Sequence, residues 1–278
     1  MPQTLKFQQV DVFSSAATEG NPLAVVSAAD DVTDAQMAAF ARWTNLSETT
    51  FLLRPTHPDA DYRVRIFTTT RELPFAGHPT LGSCFVWLDN GGVAKGDEIV
   101  QECGAGLVRI RRNGSRLAFS APPLMRSGSV EDGVLHTIAA GLRVPVEKIV
   151  ASQWADNGPG WVAVMLANRN ELLAIRPDYP AFKGLNVGAI APWTGHDAEA
   201  DFEVRAFTGD LGAEDPVTGS LNASLAQWLI PAGLAPSRYT ARQGTAMGHC
   251  GRINVEQISE RIWVGGDVQR CVAGTVTL

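Results

Sequence analysis

The stretch DYRVRIFT at residues 61–68 and its near copy DFEVRAFT at residues 201–208 decide the fold of this chain. Five of the eight positions are identical, and a sixth exchanges Tyr for Phe. Each copy leads through a turn-rich segment, TTRELPFAGHP or GDLGAEDPVTGS, into a nearly apolar run, LGSCFVWL at 81–88 or LNASLAQWL at 221–229. Identity, order and spacing agree, which indicates a tandem duplication of one mixed α/β unit.

Periodicity within each copy predicts a strand followed by a helix. Val64 and Ile66 alternate with two arginines, a period of two that is typical of a strand, and the second copy repeats the pattern. The runs at 79–88 and 220–229 are apolar on nearly every side, which predicts buried helices. We therefore expect an α+β fold of two pseudo-symmetric domains, each wrapping strands around its own central helix. Equivalent segments should then meet across a cleft, where ligand sites are common.

Domain boundaries follow from a Pro-, Gly- and Ser-containing segment, APPLMRSGS at 121–129, which is typical of a linker. It predicts an N-terminal domain over residues 1–122 and a C-terminal domain over residues 123–278. The last strand, at about residues 266–278, is a candidate to pack back on the first domain.

Two further helices are indicated. Thr33 and Gln36 form a capping box for a helix that stops near Asn45, and TTFLL at 49–53 reads as a strand. Ser47 and Glu48 consequently lie at a helix-to-strand junction. A second helix is expected over residues 130–142.

Composition excludes several classes of protein. The chain has 23 Lys and Arg against 29 Asp and Glu, a net charge of -6, and no dense basic run, so nucleic-acid binding has little electrostatic support. The longest purely apolar stretch, at 161–167, is too short to span a membrane, and the N-terminus lacks a signal-peptide core. We expect a cytoplasmic protein. The four cysteines form no C-x-x-C pair, so neither a zinc site nor a disulfide framework is indicated.

Two helix starts, Gly77–His78 and Gly219–Ser220, are candidate anion sites. Free backbone N–H groups and the positive end of the helix dipole favour a ligand carboxylate there. Each pair of residues taken alone is compatible with a simple turn. Their appearance in matched copies favours a binding role.

Three side chains could carry chemistry, although each has an ordinary structural alternative. His78 could be a hydrogen-bonded structural histidine, Asp215 a helix cap, and Glu48 a solvated surface glutamate. In combination they are more informative, because His78 and Asp215 occupy nearly equivalent places in the two copies. Folding should bring them to opposite sides of one pocket, where a carboxylate and a histidine form an acid/base pair.

The motifs GNPLAVV, NLSETTF, RELPFAGHPTLG and EDPVTGS, in this order, resemble the PhzF (phenazine biosynthesis-like) family, and the resemblance covers essentially the whole chain. It implies the diaminopimelate epimerase fold, with two similar domains, an active site between them, and a homodimer. It places catalytic residues at Glu48, His78 and Asp215. It further implies that the backbone of Gly77, His78, Gly219 and Ser220 binds the substrate carboxylate, with Ser47 adding a hydrogen bond.

The reaction class follows from the same resemblance. Related epimerases use two cysteines at these helix starts, but FAGHP and DPVTGS contain none, so two-thiol racemisation is disfavoured. The resemblance instead implies that Glu48 moves a proton on a small amino- or hydroxy-carboxylic acid, an isomerisation without metal, flavin or pyridoxal phosphate.

Two alternatives stay open at this point. One is an amino-acid epimerase in which Glu48 and Asp215 act as two bases, and the other is a non-catalytic small-molecule binder. The continuation LNASLAQ after EDPVTGS, together with His249 and Cys250, departs from the phenazine enzyme's usual pattern and leaves the substrate open.

Overall fold

The computed structural model describes residues 3–278. By their internal contacts the residues form two units, one of Met1–Ser120 with Gly265–Leu278 and the other of Ala121–Val264. Within residues 3–278, no helix combines the length and the apolar character needed to cross a bilayer.

The first unit contains ten strands and helices before the boundary at residue 120. In chain order they are β1 (Thr4–Val12), β2 (Asn21–Val26), α1 (Asp34–Thr44), β3 (Thr49–Leu53), β4 (Tyr62–Phe67), β5 (Glu72–Leu73), α2 (Gly77–Asp89), β6 (Ile99–Cys103), β7 (Gly106–Asn113) and β8 (Arg116–Ser120).

The second unit begins with a short strand, and the chain returns to the first unit at Gly265. The elements are β9 (Arg126–Gly128), α3 (Asp132–Leu142), β10 (Ile149–Asp156), β11 (Trp161–Leu166), α4 (Arg169–Ala174), β12 (Asn186–Pro192), β13 (Phe202–Thr208), β14 (Ala213–Asp215), α5 (Gly219–Leu229), β15 (Arg238–Gln243), β16 (Gly251–Ile258), β17 (Arg261–Gly266) and β18 (Val268–Thr277).

Strand pairing has the same order and sense in both units. In the first, β1 to β2 is antiparallel, β2 to β3 parallel, β3 to β4 antiparallel, and β4 to β6 parallel. In the second, β10 to β11, β11 to β12, β12 to β13 and β13 to β15 follow the same sequence of senses. The C-terminal strand β18 pairs antiparallel with β1, within the first unit. The predicted α+β class with one topology used twice is confirmed.

The helices α2 and α5 are central to their units because they lack a polar face. Nine residues of α2 are buried, including Leu81 and Cys84, and the helix contacts β1, β2, β3, β4 and β8. In the second unit α5 contacts β10, β11 and β16, and Gly188 of β12 provides the space that Leu221 occupies. A sheet must curve to cover such a helix on several sides, which buries the apolar surface that drives folding.

Helix α1 covers the other face of the first sheet. Its capping box between Thr33 and Gln36 is present, and its C-cap Asn45 adopts the left-handed conformation with φ of 55°, as the sequence predicts. Met37 and Phe40 pack against Phe51 and other residues of the strands beneath.

Three features differ from the sequence prediction. The segment 121–129 is not a plain linker, because β9 pairs with β10 and the Arg126 guanidinium lies 3.3 Å from the centre of the Trp154 ring. Helix α3 begins at Asp132, two residues later than expected. Strand β13 is buried on both faces, although alternation predicts that Glu203 and Arg205 face water. Both charged residues are neutralised by partners.

These partners explain why charged residues occur in a buried strand. Glu203 accepts a hydrogen bond from Nε of Arg169 at 2.8 Å, and Arg205 forms a two-point contact with Glu214 at 2.8–2.9 Å. A buried charge is tolerated only when it is paired in this way.

Gly20 is required by a close backbone approach at the start of β2. A Cβ atom at this position would lie 2.2 Å from the carbonyl oxygen of Val12. The Gly20 N–H donates to Oδ2 of the buried Asp11 at 2.7 Å. The turn therefore fixes where the next residue, Asn21, enters the sheet.

We expect Gly20→Ala to lower the free energy of unfolding by about 1–3 kcal/mol, because the new methyl group would displace a backbone carbonyl. Urea denaturation monitored by tryptophan fluorescence measures this change. Gly96→Ala is the matched control, since a Cβ at Gly96 meets open space, and it should alter stability by less than about 0.5 kcal/mol. Equal effects of the two substitutions would contradict the steric argument.

Candidate active site

Glu48 lies where the chain passes from α1 to β3. After the C-cap Asn45 the chain turns, and β3 begins at Thr49, directly after Glu48. The hydroxyls of Thr44 and Thr49, 2.8 Å apart, tie the end of the helix to the start of the strand. The Glu48 side chain is 15% exposed, so it is held at the edge of the buried region. Ser47 is exposed.

His78 is the second residue of α2, and its side chain is 5% exposed. Its Nε2 lies 3.3 Å from Oε2 of Glu48, and its Nδ1 lies 3.3 Å from Nδ2 of Asn21. Burial lowers the pKa of His78 from 6.5 to about 3, because removing the ring from water penalises the charged form. The imidazole is therefore neutral near pH 7.

This pair has the parts of a proton-transfer centre. A carboxylate that is mostly shielded from water is a stronger base toward carbon acids than a fully hydrated one, since its charge is less solvated. An adjacent imidazole can donate or accept a hydrogen bond without carrying charge. The structure thus brings Glu48 and His78 together.

Asp215 ends the short strand β14 in the second unit. Its Oδ2 accepts a hydrogen bond from Oγ1 of Thr218 at 2.6 Å. Gln243 of β15 fixes this turn, because its Nε2 donates to Thr218 Oγ1 at 2.9 Å and to the Asp215 carbonyl at 3.0 Å. The Thr218 hydroxyl accepts a hydrogen bond from Gln243 and donates one to Oδ2 of Asp215. These two bonds hold the Asp215 carboxylate in one orientation, with Oδ2 as the acceptor.

The expectation that His78 and Asp215 occupy equivalent places is wrong. Asp215 pairs with Ala206 in β14, and the residue at the same register in the first unit is Leu73, opposite Ile66. His78 is the second residue of α2, and its counterpart on α5 is Ser220. The repeat locates the helix starts, but the segment between strand and helix differs in length between the copies.

Ser220 is held by two side chains of its own unit. The indole N–H of Trp161 donates to Ser220 Oγ at 3.1 Å, and Nδ2 of Asn157 donates to the Ser220 carbonyl at 3.0 Å. Because the hydroxyl oxygen accepts from Trp161, the hydroxyl hydrogen of Ser220 is available to donate elsewhere.

Both central helices begin with a residue that supplies a backbone N–H without a side chain. Gly77 and Gly219 are the first helical residues and are buried. Within the described part of the chain, no side chain caps either helix, in contrast to α1, and neither first turn carries an acidic residue. First-turn N–H groups without caps retain the capacity to bind an anion.

The sequence analysis missed two matched pairs of buried amides. Asn21 and Asn157 each contact the second residue of a central helix, His78 or Ser220. Gln101 and Gln243 each contact the fourth residue, Thr80 or Asn222, through bonds of 3.0 and 2.9 Å. The pairs are matched by the helix residue that they contact and not by strand position, since Asn21 begins β2 whereas Asn157 follows β10. No repeat in the sequence marks the glutamines.

Neither central helix has a cysteine among its first residues. Cys84 is fully buried in α2, and burial raises the pKa of its thiol to about 12, so the thiol is protonated near pH 7. Cys250 and His249 lie on the partly exposed segment before β16. Among the described residues, no group of three or more His, Cys, Asp and Glu side chains could hold a metal ion.

The fold and the comparisons with known proteins define the class of this protein as an isomerase. A relative from Pseudomonas fluorescens is named trans-2,3-dihydro-3-hydroxyanthranilate isomerase and is 35% identical over 225 residues, 78% of this chain and 77% of that protein. Another relative, Antisense-enhancing sequence 1 of Schizosaccharomyces pombe, is 32% identical over 290 residues, 96% of this chain and 97% of that protein.

The family is equally clear. The model of the PhzC-PhzF family, described as phenazine biosynthesis-like protein, matches residues 10–272. A crystal structure of a phenazine biosynthesis PhzF family protein from Enterococcus faecalis has the same fold, with a TM-score of 0.81, 24% identity, and coverage of 99% of this chain and 100% of that one. This chain belongs to the PhzC-PhzF family.

The buried His78 should make the stability of the protein depend on pH. In the unfolded chain His78 takes up a proton near pH 6.5, but in the folded protein it does so only near pH 3. The unfolded state therefore binds more protons between these values, and the stability falls as the pH drops below 6.5.

From about pH 7.5 to about pH 5 we expect the wild type to lose about 2 kcal/mol more of its unfolding free energy than His78→Gln, whose side chain cannot titrate. Urea denaturation of both proteins at the two pH values measures the difference, and the other four histidines cancel in the comparison. Parallel pH dependences would contradict the neutral, buried imidazole.

Proposed function

We propose that this protein is a cofactor-independent isomerase that moves a proton within a small amino- or hydroxy-carboxylic acid, with Glu48 as the general base and acid. The observation that carries the proposal is the 3.3 Å approach of the Glu48 carboxylate to the neutral His78 at the uncapped start of α2. A base, a neighbouring neutral imidazole and an uncapped helix start occur together in one unit.

The proposed reaction needs no oxidant. Glu48 takes a proton from one carbon of the substrate, and the electron pair of the broken C–H bond moves into the adjacent conjugated system. Glu48, now a carboxylic acid, returns the proton to another carbon on the same face. A positioned general base or acid contributes about 10²–10⁴-fold to the rate of such a transfer.

Substrate binding is proposed at the two helix starts. The backbone N–H groups of Gly77, His78, Gly219 and Ser220 would receive the substrate carboxylate, with Ser47 adding a hydrogen bond. Asp215 would bind the substrate amine, because its orientation by Thr218 leaves an acceptor carboxylate that suits a cationic or hydroxyl donor.

The proposed substrate class is a cyclic amino acid that bears a hydroxyl group. The named reaction of the Pseudomonas fluorescens relative, at 35% identity, supports this class. We also propose that the protein acts as a homodimer, as the family resemblance implies, and that it is cytoplasmic. Sedimentation of the purified protein tests the dimer.

Replacing Glu48 with Gln should abolish turnover and leave binding nearly intact, because the shape is kept and the proton acceptor is lost. With trans-2,3-dihydro-3-hydroxyanthranilate as the probe, we expect kcat to fall by about 10²–10⁴-fold, as measured by absorbance, while calorimetry shows an almost unchanged Kd. Glu147→Gln, at an exposed position in the second unit, is the matched control. Full turnover by the Glu48 variant would overturn the proposal.

Reaction in deuterium oxide separates the proposed isomerase from the two-base epimerase. A single base that shuttles the proton should give intramolecular hydrogen transfer or exchange at the acceptor carbon. Inversion with deuterium at the original stereocentre would instead support Glu48 and Asp215 acting from opposite faces. Tight binding of the probe with no change in its NMR spectrum over hours would identify a binding protein.

A further inference from the structure

We propose that Asn21 selects the tautomer of His78 in which the hydrogen is on Nε2, the ring nitrogen that lies 3.3 Å from Oε2 of Glu48, so that Asn21 is a positioning residue for the base. The inference deepens the proposed function and rests on it for its catalytic meaning. Its structural content, the position of one hydrogen atom, does not depend on activity.

The argument begins with the contact between Asn21 and His78. Asn21 is the first residue of β2 and is fully buried, and its Nδ2 lies 3.3 Å from Nδ1 of His78. An amide nitrogen can only donate a hydrogen bond. Nδ1 must therefore accept, so it carries no hydrogen. A neutral imidazole has one N–H, which is consequently on Nε2.

The opposite orientation of the Asn21 amide fits less well. With the amide oxygen facing the ring, Nδ1 would carry the hydrogen, and the Nε2 lone pair would face Glu48 Oε2 at 3.3 Å. Two acceptors in contact repel each other when the carboxyl is ionised. With the hydrogen on Nε2, each ring nitrogen is close to a group of opposite polarity, and Nε2 and Oε2 lie 3.3 Å apart without the alignment of a hydrogen bond.

The charged imidazolium is also disfavoured by Asn21. Protonation at Nδ1 would oppose an N–H of the ring to the NH₂ group of the amide, leaving two donors in contact. Burial acts in the same direction, since it lowers the pKa of His78 to about 3. Asn21 and burial thus both keep the ring neutral.

A neutral donor has a specific benefit for a base. A neutral N–H close to the ionised carboxylate stabilises its charged form only modestly. An imidazolium in its place would form an ion pair, which holds the carboxylate more tightly and makes it a poorer proton acceptor. Through the tautomer of His78, Asn21 preserves the capacity of Glu48 to take a proton from carbon.

The second unit makes the same kind of contact from a different position, because Asn21 begins β2 whereas Asn157 follows β10. The Nδ2 of Asn157 donates to the carbonyl of Ser220, the second residue of α5. A carbonyl oxygen cannot donate, so the orientation of Asn157 is fixed. In both units an asparagine presents its NH₂ group to the start of the central helix.

Nitrogen-15 NMR of the histidine side chains at pH 7 tests the tautomer directly. We expect the His78 ring of the wild type to show a protonated Nε2 and an unprotonated Nδ1. Asn21→Asp, which replaces the donor with an acceptor, should move the hydrogen to Nδ1 or protonate both nitrogens. Asn157→Asp, the matched change in the second unit, should leave the His78 signals unchanged.

Two results would overturn the inference: a wild-type ring with hydrogen on Nδ1, or an unchanged tautomer in a folded Asn21→Asp variant. The wild-type spectrum decides the first even if the variant fails to fold. With the cyclic amino acid probe we expect Asn21→Asp to lower kcat at least about tenfold with little change in KM. If Glu48→Gln retains turnover while the wild type shows the expected tautomer, the proposed function is refuted and the inference about the tautomer stands.

Discussion

The burial of the first two turns of α2 on all sides constrains the rest of the first unit. A helix without a polar face must be covered by strands in several directions, and here β1, β2, β3, β4 and β8 contact it. Coverage along the helix buries its second residue, His78, while the first-turn N–H groups remain without a side-chain cap. The same packing that stabilises the fold therefore sets the polarity of the site, because a buried imidazole is neutral and an uncapped helix start is positive.

Duplication supplies a scaffold in which the two copies have diverged at the chemical positions. The buried asparagines and glutamines that contact the central helices are present in both units. The residues that they hold differ, since His78 stands where the second unit has Ser220. An amide bonds equally well to an imidazole nitrogen or to a backbone carbonyl, so amide support of a helix start is compatible with different supported residues.

Much of the fold could be predicted from the sequence because its signals are local or repeated. The capping box of α1, the strand at 49–53 and both central helices follow from periodicity and from the copied segment at 61–68 and 201–208. The burial of Glu203 and Arg205 in β13 could not be predicted, because the partners that neutralise them, Arg169 and Glu214, come from other elements. Alternation alone predicts that charged residues face water.

For the site, the sequence by itself determined which residue types stand at the helix starts and at the junction before β3, and so which chemistry is available. The tertiary structure decided that Glu48 and His78 meet, at 3.3 Å, and that Asn21 faces the other ring nitrogen. These residues lie 30 and 57 positions from His78 along the chain. No local pattern specifies a contact at that separation, because only the packing of α2 against the curved sheet brings the three side chains together.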